Sequence, residues 1–304
     1  MLGIEDVVII GAGPAGLAAA LQLRRYAIAP RLFERGRPGG LLWNAYWVEN
    51  YFGFAGGISG PKLARAFDAQ AASASVRVTE EDVVELTWKD GFFRATTPAG
   101  VYKARTAVIA SGTKPRTLTD FPIPDACHER VVYEIVPLLS LAGKRMIIVG
   151  AGDAAFDYAL NLSKENDVII INRGEQVKCL PLLWERASTC PHITYRPRTA
   201  ISRLAATGAG GLTVECSSPG GTAVLQADYL IGAIGRDPQL DFVSASLLEQ
   251  SSELENRGIL HFVGDVKNGM YRQTAIAVGD GIRAGMRIYQ VLKESTDESD
   301  CLDR

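Results

Sequence analysis

An apolar run from Val7 to Ile10 breaks at Gly11, Gly13 and Gly16, continues as LAAALQLRRYA, and is followed by a second run, RLFE, that ends at Glu34. A short β-branched run, a glycine-rich turn and a stretch of small and apolar residues predict strand, turn and helix in that order. The same grammar returns at Met146 to Val149, with Gly150, Gly152 and Ala155 in the turn, FDYALNLSKE as the helix and VIIINR as the next strand. Two dinucleotide-binding units in one chain are therefore expected. Between them, Ser59 precedes GPKLARAFDAQAA as an N-cap, with Pro61 near the first turn and Leu63, Ala66, Phe67 and Ala71 on one face. Alternating runs at VRVTEEDVVELTWKD, GFFRATT and VYKARTAVIAS predict a β-meander leading into a buried strand. ITYRPRTAISRLAAT, LTVECSS and AVLQADYLIGAIG form a comparable set in the second half. A long helix is expected from about Thr274 to Lys293, followed by a polar, acidic tail, STDESDCLDR, without regular structure.

At 304 residues the chain is long enough for two domains, each with its own core. Its 47% hydrophobic and 22% charged residues and net charge of -2 carry no bias toward nucleic acid or membrane as partner. No apolar run approaches the roughly 18 residues of a membrane span, and no leader pattern precedes the first strand. The five cysteines, Cys127, Cys179, Cys190, Cys216 and Cys301, are odd in number and show no CxxC spacing, so neither a zinc site nor a disulfide framework is indicated. A cytoplasmic protein is the expectation. His128, His192 and His261 are the only histidines, and nothing resembles a hydrolase triad or a metal cluster.

Glycine-rich turns are common, and context is what gives the first one meaning. It follows a strand, opens a helix and is answered by Glu34 about 20 residues on. Gly11 permits the tight turn, Gly13 lets a pyrophosphate approach the backbone, and Gly16 lets helix and strand pack closely. The helix N-terminus presents unpaired N–H groups and a partial positive charge to the phosphates, and Glu34 would accept hydrogen bonds from a ribose. In the second turn Ala155 still permits close packing, but the following strand ends in Asn172 and Arg173 instead of an acid. Arg173 there either pairs with the 2'-phosphate of NADP or is a solvated strand-end cation. NADPH is favoured and NADH stays open.

Nearly end to end, the chain resembles the low-molecular-weight thioredoxin reductases and the thioredoxin-reductase-like ferredoxin-NADP reductases. The likeness rests on GAGPAG at 11 to 16, PGG at 38 to 40, VENYFGF at 48 to 54, AVIASGT at 107 to 113, GAGDAA at 150 to 155, AIGRDP at 233 to 238, GDV at 264 to 266 and YRQTAIAVGDG at 271 to 281. It implies an α/β fold of two Rossmann-like domains, each with a small antiparallel β-meander. FAD would lie on residues 1–114 and 237–304, and NAD(P)H on 115–236, in a homodimer. The implied FAD set is Gly11, Gly13, Pro14, Ala15, Gly16, Phe33, Glu34, Arg35, Gly40, Leu41, Asn50, Gly112, Gly264, Asp265, Arg272, Gln273 and Thr274. Within it, Asn50 lies near the flavin, Asp265 bonds the ribityl chain, and Arg272 to Thr274 begin a helix aimed at the pyrimidine end, where negative charge gathers on reduction. Gly150, Gly152, Asp153, Ala154, Ala155, Asn172 and Arg173 form the implied NAD(P)H set.

One departure changes the expected chemistry. Family thioredoxin reductases carry a CxxC pair just ahead of the second domain's first strand, where this chain reads RVVYEIVPLLSLAGKRMIIVG. Glu134 and Val136-Pro137 stand about where a disulfide would have to face the flavin. Without a dithiol there is no carrier for exchange through a mixed disulfide. The linker resembles that of the ferredoxin-NADP reductases, whose C-terminal extension usually places an aromatic over the flavin; this tail offers none. The expected function is therefore an FAD-dependent oxidoreductase passing electrons between NAD(P)H and an external non-thiol acceptor, ferredoxin or another redox protein. Two alternatives stay open: disulfide oxidoreduction through an unconventional thiol or a partner's cysteines, and a non-enzymatic flavin-bound sensor or assembly subunit.

Several residues have two readings. Cys127-His128 is either a thiolate-imidazolium pair or incidental, Cys179 and Cys190 are either a redox pair or unrelated, and Cys301 is either a tail thiol that reaches a partner or inert. Trp43, Tyr46 and Trp47 either shape the flavin and acceptor site or serve packing and dimer contacts. His261 follows strand periodicity and is read as structural.

Overall fold

The computed structural model describes residues 3–208 and 210–302, with side chains as far as Glu294. Two compact units divide the chain: unit 1 comprises Met1–Trp43, Glu49–Lys114 and Pro238–Arg304, and unit 2 comprises Asn44–Val48 and Pro115–Asp237.

Unit 1 begins with β1 (Ile4–Ile10), α1 (Pro14–Arg25) and β2 (Arg31–Glu34), continues through α2 (Gly60–Ser73) and β3 (Val78–Glu80), and then runs β4 (Glu85–Lys89), β5 (Phe92–Thr97) and β6 (Gly100–Ile109). Its sheet has the order β3-β2-β1-β6-β5-β4. β6 serves two sheets' worth of pairing. Its first residues alternate in exposure and pair antiparallel with β5, whereas Thr106 to Ile109 are continuously buried and lie parallel to β1. A one-sided strand alternates and a strand covered on both faces does not, so the change of pattern along VYKARTAVIAS marks the change of neighbour. The meander of unit 1 is thus continuous with its parallel sheet. VRVTEEDVVELTWKD is split by this arrangement: Val78–Glu80 extends the parallel edge beside β2, and only Glu85–Lys89 joins the meander.

After β7 (Thr113–Pro115), unit 2 holds β8 (Val131–Val132), β9 (Arg145–Val149), α3 (Asp153–Leu162), β10 (Asp167–Ile171), α4 (Pro181–Thr189) and β11 (Ile193–Arg196), then β12 (Ala200–Ala206), β13 (Leu212–Ser218), β14 (Gly221–Ala227) and β15 (Tyr229–Gly232). A parallel sheet, β11-β10-β9-β15-β8, is separate from the antiparallel β12-β13-β14. ITYRPRTAISRLAAT is likewise two strands in two sheets, broken where Arg198 takes a left-handed φ of 48°.

The chain returns through β16 (Arg236–Pro238) to α5 (Ala245–Asn256), β17 (Leu260–Phe262) and α6 (Thr274–Leu302) in unit 1. α5 is absent from the sequence reading, and α6 runs to Leu302 where an unstructured tail is expected. In α2 the buried face is Leu63, Ala64 and Ala71 with Phe67 half-buried; Ala66 is exposed, and Ser59 occupies the cap position without a side-chain cap bond. Helices cover one face of the parallel strands of unit 1 and α5 with the meander covers the other, giving two cores around Leu23, Leu32 and Ile288 and around Phe33, Phe93 and Leu247. α1 and α6 approach closely because Gly281 faces the Ala15 carbonyl, where any β-carbon would collide. No described helix is long and apolar enough to cross a membrane.

Candidate functional site

In unit 1 the turn after β1 is closed by backbone bonds: Gly11 donates to the Phe33 carbonyl at 2.9 Å and Gly39 donates to the Ala12 carbonyl at 2.8 Å. A β-carbon on Gly16 would run into the Gly11 carbonyl oxygen, and one on Gly11 into that of Ala110, so close packing fixes both residues as glycine. Gly13 differs, because nothing lies within 4 Å of the place its β-carbon would occupy. α1 starts at Pro14, with no side-chain cap and no acid in its first turn. Its first N–H groups and partial positive charge face that open space, the condition for receiving a pyrophosphate.

Glu34 ends β2 with both carboxylate oxygens fixed, one by the Ala12 N–H at 2.8 Å and the other by the Gly36 N–H at 2.9 Å. Each oxygen keeps a lone pair for a ribose hydroxyl. Beside it lies a cavity of about 260 Å3 whose lining includes Gly11, Phe33, Glu34, Arg35, Ser111 and Phe242. That is near the lower end, about 300 Å3, of small-molecule pockets, a size for the nucleoside end of a dinucleotide. Of the remaining positions of the FAD set, Gly40 and Gly264 lie against this turn and the start of α1, and Gly112 follows Ser111 of the cavity wall. Gly40 has a φ of 54° and faces Gly13, the Gly112 carbonyl accepts from Gln239 N at 3.0 Å, and Gly264, with a φ of 75°, sits against Ala15. Asn50 donates to the Gln273 side chain at 2.7 Å, joining the VEN and YRQT motifs. The residues fit FAD: an open glycine, a helix N-terminus without an acid and a carboxylate with free lone pairs belong to one strand–turn–helix–strand unit.

Asp280 is a loop-fixing residue that the sequence does not single out. Buried on α6, it accepts from Gly264 N at 3.2 Å, from the Asn268 amide at 2.7 Å and from Arg283 at 2.7 Å, which fixes the loop carrying Asp265. Its signal was the GDG run at 279–281 of the motif, read as helix. Gln239, Asp241 and Phe242, also on the cavity wall, come from the return segment after β16.

Unit 2 repeats the turn almost bond for bond. Gly150 donates to the Ile171 carbonyl at 2.9 Å, Lys178 donates to the Ala151 carbonyl at 2.8 Å, and a β-carbon on Gly150 would meet the Ala233 carbonyl. Gly152 is open, as Gly13 is, and α3 starts at Asp153. Asp153 Oδ1 accepts from Leu180 N at 2.8 Å, and Ala154 is exposed beside it. Asn172 takes the place of Glu34: its Oδ1 accepts from Gly174 N at 3.0 Å while its amide donates to the Gln176 carbonyl and the Tyr195 hydroxyl. Arg173 is exposed and donates to Asp120 at 3.0 Å.

Where the family motif would carry CxxC, unit 2 has a polar cluster instead. Asn44 Oδ1 accepts from the N–H groups of Ile135 and Val136, at 2.9 and 3.2 Å, and Glu134 forms an ion pair with Arg236 at 3.0 Å. Tyr158, pushed up to about 12 mainly by burial, hydrogen-bonds Arg236. Asp157 accepts the Tyr46 N–H at 2.9 Å and is raised to about 6 because burial penalises its charge.

Placement bears on two of the three cysteine readings. Cys127 is fully buried and its thiol is raised by burial, while His128 is exposed and lies 3.8 Å from Asp125, so they form no thiolate-imidazolium pair. Cys179 and Cys190 bracket α4; at 1.5 Å of rise per helical residue they are about 15 Å apart, far beyond the roughly 7 Å limit for a disulfide. The side chain of Cys301 lies outside the described residues. The aromatic cluster is divided. Trp43, in unit 1, bonds the Pro38 carbonyl and carries the Arg37 guanidinium 3.4 Å from its ring centre, whereas Tyr46 and Trp47 belong to unit 2. His261 is buried, bonded to the Gly258 carbonyl and lowered to about 4 by burial, which is a structural role.

This double arrangement of strand, glycine turn and helix defines a protein with two dinucleotide folds. Residues 5–281 match the family described as Pyridine nucleotide-disulphide oxidoreductase, and the chain belongs to it. A thioredoxin reductase of Streptomyces clavuligerus is 30% identical over 312 residues, covering 98% of this chain and 97% of that protein. A ferredoxin--NADP reductase of Ignicoccus hospitalis is 31% identical over 245 residues, covering 77% and 78%. The crystal structure of T. acidophilum thioredoxin reductase matches with a TM-score of 0.80 at 25% identity, covering 94% of this chain and 97% of that one. The protein is an FAD-dependent NAD(P)H oxidoreductase of the thioredoxin-reductase-like group.

Proposed function

We propose that this chain passes electrons between NAD(P)H and an external acceptor that is not reduced through a dithiol of its own. The observation that carries this reading is the segment Glu134–Pro137, where a CxxC pair would stand: it holds no cysteine and is fixed by Asn44 and Arg236 instead, and the described cysteines are all unpaired. A relative named ferredoxin--NADP reductase supports a redox protein as acceptor.

In this reading unit 1 holds FAD. Bound there, FAD supplies the two-electron chemistry. The N–H groups at the start of α1 would receive the pyrophosphate beside Gly13, Glu34 would accept from the ribose, and Asp280 fixes the loop whose Asp265 would bond the ribityl chain. Asn50 and Gln273 hold each other beside Arg272 and Thr274 at the start of α6, whose N-terminus favours negative charge. Unit 2 takes the nicotinamide dinucleotide at Gly150, Gly152, Ala154 and Ala155, with Asp153, Asn172 and Arg173 around it. We further read the chain as a homodimer, consistent with the exposed Ile282 and Met286 one turn apart on α6.

An anaerobic titration of the flavin absorbance with NADPH or NADH tests the reading. One equivalent per flavin is expected to complete reduction, because the flavin is the single two-electron acceptor. An end point at two equivalents would reveal a second acceptor inside the chain and overturn it. Loss of all bleaching would favour the sensor or assembly role.

A further inference from the structure

The end of β10 carries more charge than a coenzyme site of simple design requires. Arg173 and Asp120 form an ion pair at 3.0 Å with both side chains mostly exposed, 79% and 67%. They are 53 residues apart in sequence. A second arginine reaches the same turn: Arg198 N donates to the Gly174 carbonyl at 2.9 Å, and its guanidinium lies 3.9 Å from Glu175. Arg198 holds a left-handed φ of 48°, a conformation uncommon for a residue with a long side chain. Two cations and two carboxylates therefore meet at one strand end, and their charges cancel.

Exposed ion pairs of this kind contribute only about 0–1 kcal/mol to folding, so stability gives Asp120 little to do. Its effect on a ligand is larger. A 2'-phosphate seeking the Arg173 fork must displace the Asp120 carboxylate and then lie beside its negative charge. A 2'-hydroxyl makes neither demand.

We propose that Asp120 sets the coenzyme preference of unit 2 by holding Arg173 as a 2'-phosphate would, so that the site takes NADH and NADPH with comparable affinity. This rests on the reading of the turn at Gly150 to Ala155 as the dinucleotide site. Asp120 acts through Arg173 and is a positioning residue, not a catalytic one.

Calorimetric binding of 2',5'-ADP and of 5'-AMP, which differ only in the 2'-phosphate, to the purified holoprotein tests the proposal without turnover. Wild type is expected to bind the two probes within about threefold of each other. Asp120→Asn should raise the affinity ratio of 2',5'-ADP to 5'-AMP by about 3- to 10-fold at low salt, an advantage that shrinks as salt screens it. In an Arg173→Ala background the same substitution should move the ratio by less than about twofold, since the coupling partner is gone. Asp125→Asn, which removes a fully exposed carboxylate elsewhere in unit 2, should leave the ratio where it was. The proposal is overturned if Asp120→Asn leaves the ratio unchanged, or if it raises the ratio equally with and without Arg173. Failure of wild type to bind either probe would overturn the dinucleotide-site reading together with this one, a result distinct from binding without discrimination.

Discussion

The turns of the two units share the Gly11 and Gly150 bonds, the Ala12 and Ala151 carbonyl bonds and an open second glycine, yet they differ at each residue a ligand would touch. Unit 1 puts a carboxylate at the strand end, held by two backbone donors, and no acid in the first helical turn. Unit 2 puts an amide at the strand end, an acid at the helix start, and a neutralised arginine beside it. The helices diverge in the same way: Ala18 and Ala19 of α1 are small and buried, and the corresponding positions of α3 are Asp157 and Tyr158. Under the proposed function the first turn would hold a resident prosthetic group and the second a coenzyme that exchanges at each cycle.

The comparison breaks most visibly at Gly16. Gly16→Val forces a β-carbon into the Gly11 carbonyl and is expected to yield protein without flavin, at a cost of roughly 1–3 kcal/mol or more; a flavin-replete variant of unchanged melting temperature would refute the close packing. Glu34→Ala strips two backbone N–H groups and a ribose of their acceptor. FAD affinity should fall by about 10- to 100-fold, read by flavin fluorescence on dilution, while 2',5'-ADP binding by unit 2 is unaffected.

Asp157→Asn bears on stability rather than binding. The carboxyl of Asp157 is raised from 3.8 to about 6 in the folded chain, so the stability it contributes is fully present below pH 3.8 and is lost as pH rises through 6. The variant should therefore be more stable than wild type by about 2–3 kcal/mol at pH 8 and approach it near pH 4, as followed by urea unfolding. Equal stabilities at both pH values would show that the group is not strained. The smallest effect is expected from Asp153→Asn, which keeps an acceptor for Leu180 and removes the charge from the first turn of α3. Affinity for ADP should improve by about 2- to 5-fold.

Local elements were legible in the sequence. β1, α1, β2 and their counterparts in unit 2 are read correctly because an apolar run, spaced glycines and a small-residue helix are each decided by neighbours in the chain. The run at 78–89 could not be divided between two kinds of pairing, since both present the same alternation and only the partner strand differs. α5 was missed because SASLLEQSSELEN has few apolar residues; its usable signal was Ser244, whose hydroxyl accepts from Leu247 N. Asp280 was hidden for a different reason. Its partners lie 12 and 16 residues away, across a loop, and a helix pattern carries no record of them. The same holds for Asp120 and Arg173, and for Asn44, whose amide serves backbone groups 91 and 92 residues away.

Asn44–Val48 sets a practical limit on dissection. A fragment spanning 115–237 would look like a self-sufficient unit by sequence, yet it would lack Asn44, and the N–H of the fully buried Ile135 would have no acceptor. Leaving such donors unmet costs about 1–3 kcal/mol each, a large share of the stability of an isolated unit this size. Supplying a short peptide spanning 44–48 should partly rescue the fragment. This unit is therefore better regarded as a split protein, whose smaller piece is carried between Trp43 and Glu49 of the other unit.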